Sequence, residues 1–282
     1  MRYREHRPRP ELARYVECFW RVSDEPAPGG APIESVSPDG CVEWIFHLAD
    51  PFRSFRPDGG ADTQAVSFVV GEITGPMRIA TTGRVETLGV RFRPGGAYPF
   101  FPMPLALLTD GAAASAEVWG PEGRRVEAAV RHAGNGREER RILEDFLLRR
   151  LAASQTNPQI DGAVRMLLSR RGNARVAELA REVAWSPRQL EREFLRHVGL
   201  SPKFLARILR FQNVLRCRGR RPEWPWADLA AHAGYADQAH MVREFREFAG
   251  RTPTGIDSDP GELTRHFVVP KRLETLLSPD GR

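Results

Sequence analysis

Apolar residues at Val176, Leu179, Ala180 and Val183 fall three and four positions apart, the spacing of one stripe along a short helix. Ser186 follows where an N-cap belongs, with Pro187 at the first helical position and Gln189 three residues on, the signature of a capping box. The helix it starts carries Leu190, Phe194 and Val198 on its apolar side and stops at Gly199. From Trp226 to Thr252 the design returns more loosely. Trp226, Leu229, Ala230 and Ala233 form the first stripe, Gly234 supplies the turn, Asp237 caps the next helix, and Met241, Phe245 and Phe248 bury it. Between the two blocks Ser201 and Pro202 open a longer helix with Leu205, Ile208, Leu209 and Val214 as apolar positions. Two short helices joined by a tight turn make a helix-turn-helix, whose second helix is shaped to enter the DNA major groove. A stiff connector would present two such units to major-groove segments about 34 Å apart on one face of a duplex.

The polar positions say what those helices would touch. Arg188, Gln189, Glu191, Arg192 and Arg196 lie off the stripe of the first reading helix, and Gln238, His240, Arg243 and Arg246 off that of the second. Arginine pairs bidentately with guanine, and Gln and Glu read base edges. Backbone amides at the capped starts, Ser186 and Asp237, are natural phosphate anchors. A single such face is equally the solvated side of a helical hairpin, which leaves a protein-interaction module as the alternative. The repetition favours double-stranded DNA.

The first half alternates with the period of strands instead. Val16 to Val22, Val42 to Leu48, Val66 to Val70, Met77 to Thr81 and Val85 to Phe92 are the candidates, separated by Pro- and Gly-rich turns such as Pro38-Asp39-Gly40. Short strands at this spacing predict a small antiparallel barrel or sandwich. From Ala116 the chain turns helical, through Pro121 to His132 and then an amphipathic run from Glu138 to Leu151. That run packs its leucines on its own domain or on a second copy of the chain, with Arg140, Arg141, Arg149 and Arg150 flanking the seam in the second case. The fold expected is therefore α+β, with a β-rich N-terminal domain at 1–153, a linker at 154–158, an all-helical double helix-turn-helix at 159–256 and a tail at 257–282 in which HFVVPKRLETLL reads as a short strand and helix.

Three candidate sites lie in the first half. Trp20, Trp44, Phe46 and Phe92 could line a pocket for a small-molecule effector, or simply form core. Cys41, Glu43 and His47 share one strand face and, with Cys18, could hold a metal; a buried thiol and a hydrogen-bonded histidine are the better reading, and no metal or cofactor is expected. Arg91 and Arg93, two residues apart, could hold an anion or pair with Glu43 or Glu86.

Charge sharpens the division. The chain of 282 residues carries a net +6, and residues 160–256 hold 18 Lys+Arg against 10 Asp+Glu, leaving the remainder slightly acidic. The excess thus lies where a polyanion would bind, although the basic residues are nearly all arginine throughout. Three scattered cysteines without a CxxC pair argue against a disulfide framework and against the four-cysteine zinc site that a DNA-alkylation-repair regulator needs. No His-x-His pair supports a cupin-type enzyme. No run is long and apolar enough for a membrane span, and MRYREHRPRP lacks the apolar segment of a signal peptide, so a cytoplasmic, non-enzymatic protein with no membrane partner is expected.

The runs SPRQLEREF, GLSPKFLARILRF and GYADQAHMVREFREFAGRTP resemble the AraC/XylS family of bacterial transcription regulators over about Gln159 to Ile256. The resemblance implies base contacts from Arg188, Glu191, Arg192, Gln238, His240 and Arg243, with the second unit often reading less sequence. This chain departs from the family pattern in continuing Thr252-Pro253 as Thr254-Gly255-Ile256 and in placing Asn213-Val214 near the end of the connector. PDGCVEWIFHL, LGVRFRPGGAYPFF and EVWG resemble the N-terminal domain of one branch of the same family. That implies a cupin-like sensing or dimerisation module, with an effector, a second copy and RNA polymerase as candidate partners.

Overall fold

The computed structural model describes residues 1–25, 32–56 and 58–258. The expectation for HFVVPKRLETLL lies outside the described residues. Among the described residues, ten strands build two antiparallel sheets. The larger contains β1 (Arg2–His6), β2 (Val16–Asp24), β4 (Glu43–His47), β7 (Ser67–Val70), β9 (Val85–Phe92) and β10 (Ala112–Ala114), in the order β1-β2-β9-β4-β7-β10. The smaller contains β3 (Glu34–Val36), β5 (Arg53–Phe55), β6 (Ala61–Thr63) and β8 (Met77–Ala80), in the order β3-β8-β5-β6. All five expected strands are present. The barrel-or-sandwich expectation resolves into two sheets rather than one closed ring of strands.

Side-chain parity divides the large sheet into two faces. Val42, Trp44 and Phe46 of the β4 region, Leu88, Val90 and Phe92 of β9, and Val69 of β7 face the main core. Cys18, Trp20 and Val22 of β2 face the opposite way, toward Phe52, Ile79 and Val85. Gly89 pairs with both Trp20 and Ile45, and a Cβ there would overlap the Trp20 indole, so this strand position must be glycine for the ring to lie flat across it.

Three helices cover the core face: α1 (Ser115–Trp119), α2 (Pro121–His132) and α3 (Gly136–Ala153). Val126 and Val130 of α2 and Leu143, Phe146 and Leu147 of α3 are buried in that core. Trp44 meets Phe146 at 5.2 Å and Trp119 at 4.6 Å between ring centroids. The α3 stripe thus packs on its own domain, with Ile142 and Leu151 partly buried at its edge. Arg141 pairs with Asp145, and Arg150 with Glu122.

The chain leaves α3 at Ser154 and re-enters a helix at Pro158, capped by Asn157. Among the described residues, seven helices follow: α4 (Pro158–Ser169), α5 (Val176–Glu182), α6 (Pro187–His197), α7 (Pro202–Arg220), α8 (Trp226–His232), α9 (Gln238–Ala249) and α10 (Pro253–Ser258). Their buried residues join those of the sheet in one continuous core. Polar bonds cross the junction: Gln212 Nε2 donates to the Pro38 carbonyl at 2.6 Å, Thr109 Oγ1 to the Gly199 carbonyl at 2.7 Å, and the Asn157 amide to the Tyr98 hydroxyl at 2.6 Å. Among the described residues, no helix is long and apolar enough to cross a membrane.

Candidate nucleic-acid interface

The first unit is α5, a turn, and α6. Leu179 and Ala180 bury α5, and Leu190 and Phe194 bury α6, the residues the 3.6-residue period selects. The turn closes with Ala184 donating to the Arg181 carbonyl and Trp185 to that of Ala180, while Ala184 takes a positive φ of 54°. Ser186 Oγ then accepts the Gln189 amide at 3.2 Å, fixing where α6 begins. Arg188, Glu191, Arg192 and Arg196 are exposed and Gln189 is half-buried. The Arg192 side chain is 71% exposed and rests on Glu193 Oε1 at 3.0 Å.

The second unit repeats that geometry. Gly234 donates to the Ala231 carbonyl and Tyr235 to that of Ala230, the same pair of bonds in a turn one residue longer before the cap. Gly234 has φ +84° where the first unit has Ala184, and a Cβ here would displace the Asn173 side-chain amide. Asp237 accepts the His240 amide at 2.6 Å. Gln238, Arg243 and Arg246 are exposed. His240 is half-buried, edge-on to Tyr235 at 5.2 Å and 3.6 Å from Glu244, so part of its surface serves the helix packing and only part faces outward.

Glu244 is the residue the sequence reading passed over. It sits inside the apolar stripe of α9, three residues after Met241, and its side chain is 4% exposed. Its carboxylate accepts from Arg207 Nε of α7 at 2.8 Å and from the Tyr235 hydroxyl at 2.8 Å, and Arg210 stands 3.7 Å away. Arg207 also pairs with Glu247 and lies over the rings of Phe204 and Phe248. A buried carboxylate satisfied this way ties the second reading helix to the connector with fixed geometry. Burial pushes the Tyr235 hydroxyl pKa well up, with Glu244 adding to the shift, which keeps the phenol a donor.

The four aromatics expected to line an effector pocket do not come together. Trp44, Phe46 and Phe92 are fully buried among Trp119, Phe146 and Phe100. Trp20 points through the other face of the sheet, because it pairs with Gly89 at a position of opposite parity. On that face lies a cavity with about 760 Å³ of atom-free space, its open mouth included. Trp20, Val36, Ile45, Phe52, Met77 and Ile79 supply apolar walls, and Asp39, Glu43 and Arg91 a charged end. Arg91 is buried and paired with both Asp39 and Glu43, the partner the sequence offered, while Arg93 donates to the Ala13 carbonyl at 2.8 Å and does not join it. The Cys41, Glu43 and His47 face is the cavity wall. His47 bonds Thr87 and Gln64, and burial lowers its pKa while the Gln64 bond pulls the other way. No cluster of three or more metal-ligating side chains occurs among the described residues.

Comparison with known families matches residues 179–257 to the family described as "Helix-turn-helix domain" and residues 4–114 to "Domain of unknown function (DUF6597)". No curated protein matches the sequence. Among solved structures, ToxT from Vibrio cholerae is 9% identical, with 90% of this chain and 97% of that chain covered and a TM-score of 0.45. ToxT from Vibrio cholerae bound to (E)-4-(8-methylnaphthalen-1-yl)but-3-enoic acid is 10% identical over 83% and 97%, TM-score 0.45. The AraC-like transcriptional activator CuxR is 13% identical over 69% and 82%, TM-score 0.28. The family match spans both of the paired units, so residues 179–257 form a helix-turn-helix domain, the kind of module that supports a DNA-binding regulator of transcription.

Proposed function

We propose that the protein reads a specific DNA site through two successive major-groove segments, α6 entering one and α9 the other, under the control of a small molecule held in the N-terminal cavity. The observation that carries the reading is the pair of exposed arginine-bearing helices fixed to one 19-residue connector, α7, by buried packing and by the Glu244 ion pair. Arg188, Glu191, Arg192, Arg196, Gln238 and Arg243 are the proposed base and backbone contacts, with Gln189, His240 and Arg246 at their margins. The amides at Ser186 and Asp237 are proposed phosphate anchors. Domain limits of 1–153 and 159–256, joined at 154–158, belong to the same proposal.

Effector control has a physical route. The turn Ser37 to Gly40 is cavity wall on one side, where Asp39 pairs with Arg91. On its other side the Pro38 carbonyl receives Gln212 of α7, and Gly40, at φ +78°, lies so close to α7 that a Cβ would stand 3.0 Å from Leu205. A ligand that moves Asp39 would therefore push directly on the helix that spaces the two readers. Selection of bound fragments from a random DNA pool tests the DNA reading: two half-motifs about one helical turn apart are expected. A single short motif, or retention that vanishes uniformly with salt, would replace it with one-helix or purely electrostatic binding.

A further inference from the structure

A second charged feature, far in sequence from the reading helices, belongs to none of the above. Arg4 and His6 on the edge strand β1, Arg21 on β2, and Arg137 and Arg140 in the first turns of α3 line one cleft. Arg4 stands directly across the ladder from Arg21, an arrangement that costs free energy for like charges. Arg137 and Arg140 sit at the N-terminal end of an 18-residue helix, where the macrodipole disfavours cations. The nearby carboxylates are already engaged. Glu138 accepts the Gly134 amide, and Glu86 and Glu139 both hold Arg21. Among the described residues, Arg4, Arg137 and Arg140 have no ion-pair partner. His6 registers the resulting field: desolvation lowers its pKa, and Arg140 and Arg4 lower it further.

Three arginines without an ion-pair partner lining one cleft at a helix N-terminus are a local electrostatic cost that a bound anion would offset. Arg21, fixed by its two carboxylates, forms a rigid floor, and the others form an adjustable rim. We propose that this cleft binds a compact multivalent oxyanion, the phosphate or pyrophosphate group of a small ligand, by bidentate contacts from Arg4, Arg137 and Arg140. The site is independent of both the DNA-reading helices and the cavity behind Trp20.

The test titrates the full chain with inorganic pyrophosphate at constant ionic strength, following the melting midpoint, calorimetric heat and the His6 imidazole resonances. Saturable binding is expected, with His6 titrating at higher pH once the anion cancels the field. Arg4→Gln and Arg140→Gln should each weaken binding about tenfold, the effect of one lost charge-assisted bond, while Arg140→Lys keeps part of it and Arg243→Gln changes nothing. Melting of the unliganded variants at or above the wild-type midpoint would show that they fold. Absence of saturable binding overturns the proposal. So does loss in Arg243→Gln equal to that in Arg140→Gln, which would place the anion on the reading helices. If Arg4→Gln with Arg140→Gln weakens duplex DNA binding while pyrophosphate has no effect on the wild type, the phosphate partner is the DNA backbone and the small-ligand site is refuted.

Discussion

Replacing Glu244 by alanine removes the acceptor that joins α9 to α7, and the structure fixes what is left behind. The Tyr235 hydroxyl, buried and 2.8 Å from that carboxylate, loses its partner, at about 1–3 kcal/mol for a buried unsatisfied donor. Arg207 loses its bond from Nε but keeps Glu247, a half-exposed carboxylate. Breaking a fully buried ion pair costs about 3–5 kcal/mol. With Arg207 one-fifth exposed and still paired, the lower end applies, about 3 kcal/mol. Glu244→Gln retains an acceptor oxygen and should cost about 1 kcal/mol. Urea unfolding reads both, through the shift in midpoint at unchanged slope. Specific DNA affinity should fall with Glu244→Ala even where the protein is fully folded, since the second reader is then held to the connector only by the Glu247 pair and by the packing of Phe245 and Phe248 on Phe211. A Glu244→Ala midpoint within about 0.5 kcal/mol of wild type, or a glutamine variant as damaged as the alanine one, would refute the lock and leave apolar packing to place α9.

Three further outcomes separate the roles of neighbouring residues. Arg192→Ala should weaken the specific site by about 1–3 kcal/mol and relax preference there without moving the melting midpoint; equal loss on random DNA would reduce Arg192 to a phosphate contact. Leu190→Ala and Phe194→Ala should instead cost about 2–5 kcal/mol of stability, and unchanged unfolding would reverse the orientation of α6. Glu72 is 1% exposed with both carboxylate oxygens unbonded, and burial raises its pKa well above the ordinary value, with Asp39 adding and Arg91 opposing. A raised carboxyl pKa contributes stability that is fully present below the unfolded value and is lost as pH rises through the folded one. Glu72→Gln should therefore gain on the wild type progressively above the ordinary carboxylate range; a difference independent of pH would mean that Glu72 is ionised throughout.

The helical half was readable because its determinants are local. Leu179, Leu190, Leu229, Met241 and Phe245 announce their burial by spacing, and Ser186, Ser201 and Asp237 announce helix starts by side chains that accept amides three residues on. Strand positions around Trp44 and Phe92 were equally plain from alternation. Glu244 was visible as a carboxylate inside an apolar stripe, but its ion-pair partner Arg207 lies on another helix, 37 positions away. The four aromatics expected in one pocket separate for the same kind of reason. Parity sorts residues within one strand, but which face of the sheet Trp20 shares with Trp44 depends on how β2, β9 and β4 pair and on the bulge in β2 near Val16 and Cys18.

The linear sequence determined the two helix-turn-helix units, their caps and the residues on their outward faces, since helix period and capping act over three or four positions. Tertiary structure alone decided that Trp44, Phe46 and Phe92 are core while Trp20 faces a cavity, that the Pro38–Gly40 turn touches both cavity and connector, and that arginines from β1, β2 and α3 meet in one cleft. Those outcomes depend on strand register and on contacts between distant segments, which one-dimensional periodicity does not carry.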